Sequence, residues 1–417
     1  MIIQGLTKSE TDTESRVSAQ IIWEESDKPD REIYFSVNKD YSDYLHVSYD
    51  PFLIAALVPA MRNGESRITV EGDICPHLLD NLYEATGWLY GWYEYPNSKI
   101  VINAGKRNHV KTTKQTKRSA IFLSGGVDSL SCLSHNLDHY PSNNPLRISA
   151  GVYIYGFDIG GREDSYDGDK ALSALENVEN VLSPLCQSVD IDYLLIKTNV
   201  RHLDETPGFW GREFCGAAIS SCGHAIGEEF SHFYLSSAGR TIEKEKVFSP
   251  FGNHPVLDHN YSSERVHIQH YQCRVDSRIE RIGIICNNDN ILNSLRVCFF
   301  PPPEKLNCEH CEKCVRTKLG LYCLGKLQQS KSFKEPLKAD QIRNININSD
   351  AAYSNYIEIR NHLDLMGSDK AIISEIDLLL RRYKKWKLWK EETDIKGLIK
   401  RIDRKILKGT IKRLVSQ

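Results

Sequence analysis

The run Leu123-Ser124-Gly125-Gly126-Val127-Asp128-Ser129-Leu130 constrains this chain more than any other. It comes after an apolar, strand-like stretch at 120–123 and opens a helix-like stretch at 129–137. Two adjacent glycines let the backbone turn sharply and come close to an anion. A helix that starts there aims free amides, and the positive end of its dipole, at the same point. Ser124 and Ser129 add hydroxyl donors. Asp128 would by itself repel an anion, and makes chemical sense where Mg²⁺ bridges it to phosphate groups. The run lacks the Gly-Lys-Ser/Thr ending of a Walker A loop and the spacing of the dinucleotide fingerprint. It predicts a phosphate cradle of a different kind.

The surroundings fit such a loop. From 119 to 330, strand-like runs (120–123, 148–157, 191–197, 233–235 and 295–299) alternate with helix-like runs (129–137, 171–182, 211–229 and 278–286). This alternation predicts an α/β domain with a parallel sheet. Residues 1–105 read as a smaller α+β domain, with strands at 17–23, 32–37, 67–70 and 99–103 and helices at 51–61 and 75–93. Its aromatics Trp88, Tyr90, Trp92 and Tyr93 read as packing residues. Residues 106–118 read as a basic linker and 331–417 as a helical region with a basic end. From Arg381 onward the chain holds 14 Lys and Arg against 4 Asp and Glu, which leaves the remainder near −12. Apolar residues at 41% and charged residues at 26% suit a soluble globular protein. The longest apolar run, 52–61, is half the length a membrane-spanning helix needs. Residues 1–16 have no signal-peptide pattern. A cytoplasmic protein with no membrane partner is expected, its twelve cysteines being thiols or metal ligands.

Four of those cysteines form a pattern. Cys308, Cys311 and Cys314 give two overlapping Cys-x-x-Cys pairs, and Cys298 lies ten residues upstream. Such spacing can close a tetrahedral four-sulfur zinc site, which has no open position and is therefore structural. An iron–sulfur cluster is the rival occupant, and His310 a substitute ligand. Cys132, Cys215, Cys222 and Cys286 fall in helix-like runs and read as core residues.

The loop after the first strand resembles that of the PP-loop ATP pyrophosphatases, which include asparagine synthetase, GMP synthetase and tRNA-thiolating enzymes. Together with Cys298, Cys308, Cys311 and Cys314, and the basic Arg316 just after them, it resembles 7-cyano-7-deazaguanine synthase (QueC)-like proteins. The resemblance covers roughly residues 119–326. It implies ATP, Mg²⁺ and Zn²⁺ as cofactors. It implies a carboxylate, most specifically a 7-deazaguanine carboxylate, activated by adenylation and then turned into an amide or nitrile or joined to a protein amine. It also implies that Ser124, Gly125, Gly126, Val127, Asp128 and Ser129 hold the nucleotide, with Tyr155 and Gly156 beside the adenine. The chain departs from QueC in the 118 residues before the stretch 119–326 and the roughly 90 after it. Its stretch 155–162 matches the family pattern only loosely. In those departures it resembles more the larger QueC-like proteins of anti-phage systems such as Qat and type IV CBASS. There a protein amine is the expected acceptor and a defence complex the expected partner.

Ligands of parallel sheets bind beyond the C-terminal strand ends. That rule selects Trp210 and Arg212 at the start of the helix after the third strand, with Glu213 favouring the helix start, and Ser236 and Ser237 after the fourth strand, as substrate contacts. Arg240 and Lys244 are the expected partners of departing pyrophosphate. The stretch 250–263, with His254, Asp258, Ser262 and Ser263, reads as a lid or a connector, and Arg278 and Arg281 as surface charges. Two rival readings remain: a tRNA-modifying enzyme, which the basic end favours, and a non-catalytic subunit of a defence complex.

Overall fold

The apolar residues Ala120, Ile121 and Leu123 are at most 1% exposed, because strands flank theirs on both sides. The structure, a computed structural model, describes residues 1–97, 99–108, 118–161, 168–237, 250–272, 274–275, 277–298, 301, 305–367 and 369–393. It divides into two compact units. The first takes in residues 1–276, 280–307 and 330–332, and the second residues 277–279, 308–329 and 333–417.

The first unit is built on ten strands: β1 (Ile2–Glu10), β2 (Glu14–Ile22), β3 (Arg31–Asn38), β4 (Arg67–Ile74), β5 (Val101–Lys106), β6 (Arg118–Phe122), β7 (Ile148–Tyr155), β8 (Asp192–Thr198), β9 (Phe230–Ser236) and β10 (His267–Tyr271). They form one mostly parallel sheet in the order β10-β9-β6-β7-β8-β3-β2-β1-β4-β5. The helices, in chain order, are α1 (Asp50–Arg62), α2 (Pro76–Trp92), α3 (Val127–His139), α4 (Gly168–Ser188), α5 (Cys215–Ala225), α6 (Pro255–Asp258), α7 (Arg278–Ile285) and α8 (Asp289–Leu292).

From β6 to β10 all strand pairs are parallel. Numbered from β6, their spatial order is 3-2-1-4-5. The chain therefore changes direction across the sheet between β6 and β9, the kind of position at which open parallel sheets bind ligands. Residues 1–105 supply the other half of the same sheet. β3 joins it antiparallel to β8, with Ser36 opposite Lys197. The apolar faces of both halves form one core that includes Phe35, Phe52, Leu57, Leu194, Phe214 and Phe233.

The expected strand at 295–299 is absent over 295–298, and 299 lies outside the described residues. The fifth parallel strand is β10 instead. Leu295, Val297 and Cys298 are buried all the same. Their irregular backbone is satisfied without a sheet partner. The Arg296 amide donates to Gly125 O at 2.8 Å, and the Val297 and Cys298 amides donate to Asn307 Oδ1. β1 escapes a sequence reading because its second half, Thr7 to Glu10, is polar and exposed, although strands pair with it on both sides.

The second unit packs α9 (Glu312–Cys323), α10 (Ala339–Arg343), α11 (Asp350–Leu365) and α12 (Lys370–Thr393) around Val315, Leu319, Tyr356, Ile359 and Leu363. On α12, Ile372, Ile376, Leu379 and Tyr383 are buried at spacings of four, three and four, which is one helical stripe. Leu388 and Trp389, beyond it, are exposed. Among the described residues no helix is long and apolar enough to cross a membrane.

The packing of the first unit generates two tests. Gly156 has φ +112°, and a Cβ there would lie 1.8 Å from Thr198 O. Gly156→Ala should lower unfolding stability by about 3 kcal/mol or more, read by denaturant titration. His224 is fully buried, with Nε2 at 2.7 Å from Tyr261 O, and burial pushes its pKa down to about 4. The folded state thus prefers neutral His224. Its contribution, roughly 3 kcal/mol, is present above pH 6.5 and should be lost as pH falls from 6.5 towards 4. Replacing His224 with Gln should flatten that part of the stability–pH curve.

Candidate phosphate-loop site and cysteine cluster

Strand β6 stops where its glycines begin. Leu123 still donates to Val152 O at 2.8 Å, but Gly125 turns to φ +77°, a left-handed conformation that favours glycine. A Cβ there would meet both Arg296 Cβ and Leu182 Cδ2 at 3.2 Å. Gly126 caps α3, whose first helical bond is Leu130 N–H to Gly126 O at 3.0 Å. The amides of Val127, Asp128 and Ser129 therefore have no acceptor within the helix and point out of its open end. Ser124 Oγ lies 3.2 Å from Ser129 Oγ and accepts from the Gly126 amide at 3.3 Å, so the two serines brace the turn from either side. The loop sits at the C-terminal end of β6, beside the β6/β9 switch.

Each of two acids at this loop meets a buried arginine. Asp128 Oδ1 accepts from Arg281 Nη1 at 3.2 Å, and Asp158 Oδ2 accepts from Arg296 Nη1 at 2.9 Å. Arg281, expected at the surface, is 1% exposed. Its helix turns it inward, onto the carbonyls of Ser237, Gln272 and Val275 at the ends of β9 and β10. Burial raises the Asp158 pKa, but the Arg296 charge and hydrogen bonds from Arg296 and Tyr153 outweigh it and leave the carboxyl below its usual range. Nothing in the loop sequence announces either arginine, since they lie about 150 residues downstream of it. Tyr155 ends β7, and Gly156 begins a tight turn closed by its amide donating to Ile159 O at 2.8 Å.

The other selected residues divide. Ser236 closes β9, and the buried Ser237 donates its amide to Tyr271 O and offers its carbonyl to Arg281. Trp210 packs 4.6 Å from Phe157, ring to ring, and its ring lies 4.7 Å from the Arg201 guanidinium. It opens a π-turn, Trp210–Phe214, that leads into α5. Arg212 is exposed and reaches the buried Glu213, which also pairs with Arg62 at 3.1 Å. Arg240 and Lys244 lie outside the described residues. His254, Asp258, Ser262 and Ser263 are buried, and Asp258 pairs with His270 at 2.7 Å. These four side chains are thus packed polar groups rather than the exposed face of a lid.

The cysteine pattern closes in space. The sulfurs of Cys298, Cys308, Cys311 and Cys314 all lie within 4.8 Å of one another. Four thiolates around one zinc, each at ~2.3 Å, stand ~3.8 Å apart. The Cys308–Cys314 sulfurs are 3.8 Å apart, and the Cys311 amide donates to Cys308 Sγ at 3.2 Å. The donor set and spacing fit a single zinc ion. Glu309, at φ +66°, shapes the knuckle, and its buried carboxylate accepts from the Lys334 and Glu335 amides and from Lys318. His310 stands outside the group, with Nε2 at 3.4 Å from Glu335. Cys132, Cys215 and Cys222 are buried, while Cys286 is only partly so.

Fold and site together define an α/β protein with a glycine-rich strand-to-helix turn at a strand-order switch and a four-cysteine group suited to metal. No protein-family model, curated protein or solved structure matches the chain.

The cysteine group makes its own prediction. Purified protein should carry one zinc per chain by elemental mass spectrometry. Cys314→Ser should lose the ion, and with it about 3 kcal/mol or more of stability.

Proposed function

We propose that this protein binds ATP at the β6–α3 loop and uses it to activate a carboxylate by adenylation, with release of pyrophosphate. The observation that carries the reading is the Ser-Gly-Gly-Val-Asp-Ser turn, with Gly125 at φ +77°, opening a helix beside the β6/β9 switch. A substrate carboxylate oxygen attacks the α-phosphorus. The bond from that phosphorus to the bridging oxygen breaks, and pyrophosphate leaves with the electron pair. An amine then displaces AMP from the acyl-adenylate, giving an amide and a proton.

The amides of residues 125–129, at the positive end of α3, would take up the charge that grows on pyrophosphate. Asp128 and Ser129 would hold Mg²⁺, which when bound neutralises phosphate charge. Asp158 and Arg296 would fix the back of the loop. Zn²⁺ on the four cysteines would be structural, since four sulfurs leave it no open position. The loop and cysteines, through their resemblance to QueC-like proteins, favour a 7-deazaguanine carboxylate as substrate. The acceptor is ammonia or a protein amine, the second in line with a role in anti-phage defence.

The test is incubation with ATP, Mg²⁺ and 7-carboxy-7-deazaguanine, with AMP, pyrophosphate and the base tracked by mass spectrometry. AMP formed only when the base is present supports the reading, and the product mass names the acceptor. Asp128→Ala should then slow pyrophosphate release by roughly 100-fold or more. AMP formed with tRNA and not with the base would favour the tRNA-modifying reading, to which the exposed Arg381, Arg382, Lys384 and Lys385 of α12 lend support. ATP binding without turnover would favour a non-catalytic subunit.

A further inference from the structure

The phosphate loop contains no lysine, and its one charged side chain is an acid. Asp128 stands in the first turn of α3, where amides gather to receive an anion. Its contact with Arg281 belongs to a larger network. Arg281 Nε donates to Val275 O at 2.9 Å, Nη1 to Ser237 O at 2.5 Å and to Asp128, and Nη2 to Gln272 O at 3.3 Å. The guanidinium thus ties the ends of β9 and β10 to the loop acid.

Gln272 is the second odd residue here. It is 6% exposed and holds φ +65°, a strained conformation for a side chain of its kind. Its Nε2 donates to Ser131 O at 3.2 Å, and its Oε1 accepts from Ser131 Oγ at 3.1 Å. Gln272 therefore grips α3 one turn beyond Asp128 while its own carbonyl is gripped by Arg281. Burying a guanidinium is a poor route to stability, because packed apolar residues serve as well. Backbone strain collects where a structure needs one geometry held. A buried charge that bonds the loop carboxylate, and a strained residue that bonds both that charge and the same helix, call for a common reason.

We propose that Arg281, braced by Gln272, is the positioning residue of Asp128: it fixes the direction of the carboxylate so that the loop receives a nucleotide together with its divalent cation. This rests on the ATP reading above. Arg281 acts through Asp128 and does not itself touch the nucleotide.

The experiment is calorimetric titration of ATP into the full chain, without Mg²⁺ and across a Mg²⁺ series, for wild type, Arg281→Lys, Gln272→Ala and Asp128→Asn. Arg281→Lys keeps the charge and loses the fork. It should raise the Mg²⁺ concentration for half-maximal ATP binding by about 10-fold, the usual effect of loosening a ligand's support, and leave Mg²⁺-free affinity little changed. Gln272→Ala should shift the Mg²⁺ requirement in the same direction. It also stands in for Arg281→Lys if that variant does not fold, as judged by thermal melting. In an Asp128→Asn background, Arg281→Lys should add no further shift, because the two act as a unit. If wild type binds MgATP and both supporting variants keep its Mg²⁺ dependence, the positioning role is overturned while the ATP reading stands. If wild type binds no ATP with or without Mg²⁺, the ATP reading falls and this proposal falls with it.

Discussion

Everything at the loop depends on β6 being paired on both sides. Its neighbours β7 and β9 run parallel to it, and the chain reaches them in opposite directions across the sheet. Buried on both flanks, the strand must end abruptly, and the chain leaves it where helices do not close over the strand ends. A helix that begins there has unsatisfied amides as a matter of geometry. The glycines make the turn passable, but the sheet order sets it at the switch between β6 and β9.

A second constraint is charge. An acid at a positive helix end is already favoured, and it is the buried arginines that need a negative partner. Asp128 and Asp158 each meet a buried guanidinium, delivered by segments distant in the chain. Arg296 adds a backbone tie, because its amide donates to Gly125 O. The irregular stretch 293–298 therefore serves the loop as a strand there would not, since a strand would spend those amides on a ladder. Residues 1–105 contribute differently. They complete the sheet through β3 and wrap α5 with α1, which supports the switch region without adding a chemical motif.

Elements with strong local signals could be read from the sequence, and elements held by distant partners could not. The apolar run of β6, the helical period of α12 and the overlapping Cys-x-x-Cys pairs each carry their reason within about twenty residues. The strand expected at 295–299 has the right composition, yet its partners are Gly125 and Asn307, and composition does not name partners. Arg281 has the opposite problem. An arginine on a helix reads as solvent-facing, and only the carbonyls of Ser237, Gln272 and Val275 together with the Asp128 carboxylate make burial tolerable. β1 is polar enough to pass for a tail, and its strand character comes from pairing on both sides.

The sequence by itself determined the local chemistry. It set where the backbone can turn tightly, which hydroxyls and which acid stand at the helix start, and which four thiols are close enough along the chain to share one ion. These arise from short-range stereochemistry and need no knowledge of what packs nearby. Only the tertiary structure decided that the loop faces a strand-order switch, that two arginines stand behind its acids, and that residues 1–105 continue the same sheet. Those outcomes depend on which distant strands pair and which buried groups must find a partner, and that is settled when the whole chain closes its core.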